Sequence, residues 1–216
     1  MKKDNTVGTA GNAASTVNRT NNKAGSGNAA EDQKRPLLEK LFLDMLKDIY
    51  WAEDHLVEKL RVMKEAATTD ELEEAFEDHL YVTQRHKSRL EKVFRLMGVA
   101  PEAKKCDAMQ GLTKEAEAMI GETKEGTMTR DAALIIAAQK IEHYEIATYG
   151  SLVQLALTLG YEQAADLLER TLWEEEDTDA LLTDIAESDV NPMADEEEND
   201  VAEGVNTAYE EVGTGR

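Results

Sequence analysis

The chain is predicted to be all-α: four long helices in two short-looped hairpins, joined by a long crossover that carries a short extra helix. Three observations predict this. Apolar residues recur every three to four positions over four long stretches, and no stretch alternates with the period of two that a strand requires. The strong breakers (Gly98, Pro101, Gly126 and Gly160) fall between those stretches, Gly150 being an exception. Two of the three connections are short enough to force antiparallel neighbours, whereas the middle one, from Pro101 to Gly126, can run the length of a bundle.

In chain order, residues 1–34 are rich in Asn, Thr, Gly, Ala and Ser with few large apolar side chains. Such a segment cannot offset its ordering entropy by burial and is expected to be a disordered tail. The helical domain is expected over 35–190. Pro36 suits a first helical turn, and Leu38, Phe42, Met45, Ile49, Leu56, Leu60 and Met63 carry the first helix to about Ala66. Thr68 with Glu71 forms a capping-box pattern for the second helix, whose Leu72, Phe76, Leu80, Leu90, Phe94 and Met97 lead to the stop at Gly98. The crossover holds a weaker helical piece, about Ala108 to Ile120. Thr129 is the expected N-cap of the next long helix, with a stripe of Leu134, Ala138, Ile141, Leu152, Ala156 and Leu159, ending near Gly160. Tyr161 opens the last helix, which buries Ala164, Leu167, Leu168, Thr171, Leu182 and Ile185. Asn191-Pro192 is expected to end it, and 191–216, with the acidic run Asp195 to Asp200, to be a disordered tail.

Composition narrows the function classes. A formal charge of −21 leaves no concentrated basic face for phosphate contacts and argues against nucleic-acid binding. No apolar run reaches membrane-spanning length, and no apolar segment follows the two N-terminal lysines, so neither a membrane span nor a secretory signal is expected. The single cysteine, Cys106, cannot form an internal disulfide, which fits the cytoplasm, and is read as an idle thiol.

The informative residues are charged ones on apolar stripes. Glu53 lies in the middle of the first stripe, His79, Thr83 and His86 fall on the second, Glu142 and Glu145 at the edge and centre of the next, and Glu175 in the last, flanked by Thr178 and Asp179. Counted from the turns, these positions differ by no more than about two helical turns in depth. They form one layer. An unpaired buried carboxylate costs several kcal/mol and must be protonated, ion-paired or bound to a cation. Carboxylates and imidazoles converging from four helices are the ligand set of a di-iron or di-manganese centre, since hard cations want several anionic oxygens. The bland alternative is a metal-free hydrogen-bonded network with Tyr144 or Tyr149 as donors. His143 points about 100° from Glu142, toward a neighbouring helix or subunit, and His55 is expected to be solvated. Trp51 and Trp173 are read as packing.

Ile49-Tyr50-Trp51-Ala52-Glu53, His79, Thr83, Arg89 to Phe94, Cys106 to Leu112, Glu142 to Ala147, Leu172 to Glu175 and Thr178-Asp179 together resemble the YciF/YciE group of bacterial stress proteins over about residues 36–188. The resemblance implies a ferritin-like bundle, a homodimer and a link to stress. The wider, rubrerythrin-related superfamily implies two metal ions, iron or manganese, with Glu53, Glu142 and Glu145 in the places of its carboxylate ligands. Where that superfamily has Glu-x-x-His on the second and fourth helices, this chain reads Thr83-x-x-His86 and Glu175-x-x-Thr178, so the second helix is expected to supply only histidine, His79 or His86. The expected ligand set is therefore Glu53, His79, His86, Glu142, Glu145, Glu175 and Asp179. Glu53 and Glu145 are the expected bridges, and consumption of oxygen or peroxide is the expected reaction. A stress-protection scaffold without catalysis is the alternative, and mineral storage a weaker third.

Overall fold

A computed structural model describes residues 35–197, so both expected terminal tails lie largely outside the described residues. The helices are α1 (Leu37–Ala66), α2 (Asp70–Leu96), α3 (Asp107–Glu122), α4 (Met128–Leu159) and α5 (Glu162–Ile185). No strand occurs among the described residues.

Around the bundle, α1 packs on α2, α2 on α5, α5 on α4, and α4 on α1, while α3 lies over the α1–α4 seam. Polar pairs fix the directions. Tyr161 bonds Glu39, Tyr149 bonds Glu53 and Thr68 bonds Asp131, so α1 and α4 run antiparallel. His79 with Thr178 and Arg89 with Thr171 show the same for α2 and α5. Diagonal helices are therefore parallel, which is the expected topology of two hairpins and a crossover.

The core follows the predicted stripes closely. Phe42, Leu46, Ile49, Leu56, Leu60 and Met63 of α1 meet Leu72, Phe76, Leu90 and Phe94 of α2, with Leu134, Ile141, Leu152, Leu168 and Leu182 on the other hairpin. Leu38, assigned to the α1 stripe from sequence, is 37 % exposed, and Met45 is only half-buried, its neighbour Leu46 taking the fully buried position.

Three helix ends differ from expectation, each for a local reason. The N-cap of α2 is Thr69 rather than Thr68. Asp131, fully buried at the start of α4, accepts hydrogen bonds from the Thr68 N–H (2.7 Å), the Thr69 N–H (2.8 Å) and the Thr69 hydroxyl (2.8 Å), thereby satisfying the turn between α1 and α2. The N-cap of α4 is Thr127 rather than Thr129, its hydroxyl accepting from Arg130 N–H at 3.2 Å. The last helix does not stop at Asn191-Pro192. A π turn over Ala186–Val190, in which the Asn191 N–H bonds the Ala186 carbonyl, widens the chain just before the proline, and helix continues over 191–197. That extension brings both carboxylate oxygens of Glu197 to 3.0 Å from the Met128 nitrogen, whose N–H they share, an anion on the positive end of α4. The stops at Gly98 and Gly160 are as expected, with φ of 70° and 79° in the left-handed region, the Val99 N–H returning to Phe94 O at 3.1 Å and the Tyr161 N–H to Ala156 O at 2.8 Å.

Candidate metal centre

Every long helix sends polar side chains to one level of the core. α1 supplies Glu53, α2 His79 and His86, α4 Glu142 and Glu145, and α5 Glu175, none more than 4 % exposed. They sort into two groups whose donor atoms lie within 4.8 Å of one another: His79, Glu142, Glu145 and Glu175 in one, Glu53, His86 and Glu175 in the other. Glu175 is the residue common to both. Glu53 and Glu145, expected to bridge, each belong to a single group. Both histidines of α2 reach the layer, one in each group, because they lie two turns apart on the same face.

The separations are short for uncompensated groups. His86 Nδ1 is 2.9 Å from Glu175 Oε1 and 3.5 Å from Glu53 Oε1, and His79 Nε2 is 3.3 Å from Glu142 Oε1. Even so, the buried side-chain atoms without a hydrogen-bond partner among the described residues all belong to this layer and its edge. They are Glu53 Oε2, His79 Nε2, His86 Nδ1, Glu142 Oε2, both oxygens of Glu145, both of Glu175, and Asp179 Oδ1. Buried polar atoms are ordinarily satisfied, and each orphan costs about 1–3 kcal/mol. The inward nitrogens of both imidazoles and the carboxylate oxygens converge on the same small volume, a donor set that hard divalent cations accept.

The outer nitrogens are held. His86 Nε2 lies 2.8 Å from Glu174 Oε2, and Glu174 is gripped by both guanidinium nitrogens of Arg89 at 2.9 and 3.1 Å. Arg89 also donates to the buried Thr171 hydroxyl at 2.6 Å. His79 Nδ1 is 3.3 Å from the Thr178 hydroxyl. Such outer contacts fix ring orientation and leave the inner nitrogen for a metal. Glu174 and Arg89, though within the segments that carry the resemblance, are given no role in the layer by the sequence. The available signals were that Glu174 neighbours Glu175 and that Arg89 stands one turn beyond His86. Thr83, also on the predicted face, is fully buried but turns back to the His79 carbonyl at 2.9 Å.

Burial governs the protonation states. It pushes Glu142 and Glu145 well above the usual carboxylate range, with the charge of Glu175 adding to the effect. Glu175 is raised by burial too, against the opposing pull of His86. For His86 burial disfavours the charged ring, but Glu53 and Glu175 outweigh it and raise the imidazole to about 11. His79 goes the other way, down to about 3, through burial and the His86 charge. His79 and Glu142 are thus neutral neighbours rather than an ion pair. Burial opposes ionisation of Glu174, yet Arg89 and His86 hold it below its ordinary value. Four carboxyls face one imidazolium, so the layer can shed its repulsion only by holding protons or by gaining a cation.

Other residues fall outside the groups. Asp179, expected as a ligand, lies one turn outward of Glu175 on α5 and at the rim, where its Oδ2 meets His143 Nε2 at 3.2 Å. His143 therefore faces a neighbouring helix, as the sequence suggested. Tyr149, and not Tyr144, enters the layer, its hydroxyl donating to Glu53 Oε1. Tyr144 is turned toward the crossover, 3.0 Å from Cys106 Sγ and donating to Asp48 at 3.1 Å. Cys106 is buried and caps α3, accepting from Met109 N–H at 3.3 Å, so the thiol has a structural place after all. His55 is not a free surface group either: it stacks on Trp51 at 4.6 Å and bonds Thr113 of α3 at 3.0 Å. Trp173 is half exposed.

Comparison with known proteins agrees with the fold. A family model described as a domain of unknown function, DUF892, matches residues 37–195. The protein YciF of Escherichia coli K12 is 44 % identical over 159 residues, covering 73 % of this chain and 95 % of that protein. The crystal structure of the E. coli stress protein YciF superposes with a TM-score of 0.69, over 73 % of this chain and 99 % of the other. YcfI from Rhodopseudomonas palustris, provisionally described as a structural protein, gives 0.67 at 37 % identity, over 70 % and 96 % of the two chains. A protein from Xanthomonas campestris shares the fold at 21 % identity, with a TM-score of 0.58 over 74 % of this chain and 99 % of the other.

Proposed function

Since the chain belongs to the DUF892 family, we propose that it is a YciF-like, stress-associated protein whose core layer holds two divalent metal ions, iron or manganese, and uses them to consume oxygen or peroxide. The observation that carries this reading is the set of unpartnered buried atoms, all of which, Asp179 Oδ1 apart, belong to the residues of the two groups. The residues fit such a centre: His79, Glu142, Glu145 and Glu175 would hold one ion and Glu53, His86 and Glu175 the other. Bound there, the ions would supply the electrons that reduce the oxidant. The protein's own part is to fix the donors from four helices, with Glu174, Arg89 and Thr178 orienting the two imidazoles. The apolar core above and below excludes water, and the Tyr149 hydroxyl keeps one oxygen of Glu53 engaged while leaving the other free.

A second reading is a metal-free structural bundle. The Tyr149–Glu53 hydrogen bond and the provisional description of the R. palustris relative favour it. Metal content per chain after anaerobic Fe(II) addition and gel filtration decides between them. The metal reading expects close to two ions per chain, little retained by Glu145→Ala, and the parent value in Glu162→Ala, a change at an exposed site. Equal content in all three proteins, or none in the parent, refutes it. Faster Fe(II) oxidation than in buffer tests the reaction itself. Within the same proposal the protein acts in the cytoplasm as a homodimer, which light scattering of the purified chain checks. No helix among the described residues is long and apolar enough to cross a membrane.

A further inference from the structure

A centre enclosed by four helices needs a way in. Two acidic side chains of α5 at the edge of the layer, Glu174 and Asp179, are partly exposed, and they are built oppositely. Both oxygens of Glu174 are occupied, by His86 and by the two nitrogens of Arg89, and Arg85 stands 3.9 Å away. Two guanidinium groups repel a cation from that side. Among the described residues Asp179 has no guanidinium or ammonium partner. Its side chain is 22 % exposed, and its two oxygens look in different directions. Oδ2 faces His143, which is 68 % exposed, while Oδ1 is buried and has no partner. His143 precedes Tyr144 and directly follows the buried Glu142, and Asp179 is one turn beyond the buried Glu175. The seam between α4 and α5 thus carries donors in continuous order from solvent to core: His143, Asp179, then Glu142 and Glu175.

Resting on the reading that the core binds divalent ions, we propose that His143 and Asp179 form an outer cation site that captures the incoming ion and passes it to the Glu142–Glu175 group. The imidazole offers an exposed first donor, the carboxylate turns from Oδ2 to Oδ1 as the ion moves inward, and neither residue belongs to the inner sets. A gateway of this kind changes rates and leaves the final equilibrium alone, because loading and release share the route.

Stopped-flow loading of the full chain with Co(II), followed by its visible absorption, tests the assignment, with release measured into excess chelator. Asp179→Asn and His143→Ala are each expected to slow loading by at least about tenfold, the lower end of what a charged approach contributes to association. Release slows by the same factor, while stoichiometry and Kd stay at the parent values. Glu176→Gln, the same charge change at an exposed position of α5, is expected to load at the parent rate. Unchanged loading in both seam variants overturns the gateway, and so does a lower final stoichiometry in Asp179→Asn, which makes Asp179 a permanent ligand. A parent that takes up no Co(II) is a separate outcome and removes the core-site reading together with it.

Discussion

Replacing Glu145 by methionine should stabilise the metal-free protein relative to the parent, and that advantage should vanish or reverse when metal is bound. Glu145 is fully buried, and neither of its oxygens has a hydrogen-bond partner among the described residues. An unsatisfied buried polar group costs about 1–3 kcal/mol, and methionine fills a similar length of core without that cost. Metal-free Glu145→Met should therefore be more stable than the parent by roughly 2 kcal/mol, or about 4–8 °C in Tm for a domain of this size. With metal at a hundredfold excess over Kd, mass action stabilises the parent by about 2.7 kcal/mol. The variant lacks one of the four donors of its group and gains far less. Its Tm should then lie at or below the parent's. Thermal melts followed by circular dichroism, in chelator and in anaerobic Mn(II), supply all four values. A variant that melts below the parent in chelator would show that Glu145 sits in a favourable hydrogen-bonded network, contrary to the geometry. If metal raises both proteins equally, the ions bind elsewhere on the acidic surface.

Glu174→Gln should weaken metal affinity by about 10- to 100-fold with little change in fold, since it loosens the anchor of His86 without removing a donor, and isothermal titration measures this. In chelator, stability should fall as pH rises from 6.5 toward 11: folded His86 keeps, up to about 11, a proton that the unfolded chain releases near 6.5, and His86→Gln should flatten that slope in urea titrations. Asp131→Ala should cost about 2 kcal/mol in chemical denaturation, because the Thr68 and Thr69 N–H groups lose their acceptor, without altering metal content.

The four-helix topology and most of the core layer were readable because a glutamate or histidine in an apolar stripe violates a strong pattern, and six such violations fell at one depth. Helical phase alone predicts that Glu53, His79, His86, Glu142, Glu145 and Glu175 point inward, and they do. Phase could not separate Asp179 from Glu175, since one turn along α5 is the difference between core and rim. That Glu175 is the residue common to both groups was also beyond it, because that depends on side-chain reach across helices. The shift from Thr68 to Thr69 as the cap of α2 is decided by Asp131, 62 residues away from Thr69, and local capping signals carry no trace of it. Pro192 misled for a similar reason: proline ends a regular helix, but a π turn just ahead of it changes the spacing that produces the clash.

The donors are divided evenly by the crossover. Glu53, His79 and His86 belong to the hairpin of α1 and α2, and Glu142, Glu145 and Glu175 to that of α4 and α5. Each hairpin rests on contacts close in sequence, the kind that forms fast, whereas either donor group needs both halves together. A chain cut within the segment 101–126 would leave two fragments that each carry half a chelate. Divalent ions should then act as the glue of a fragment-complementation pair, and reassembly of the fragments would become a direct count of native docking events.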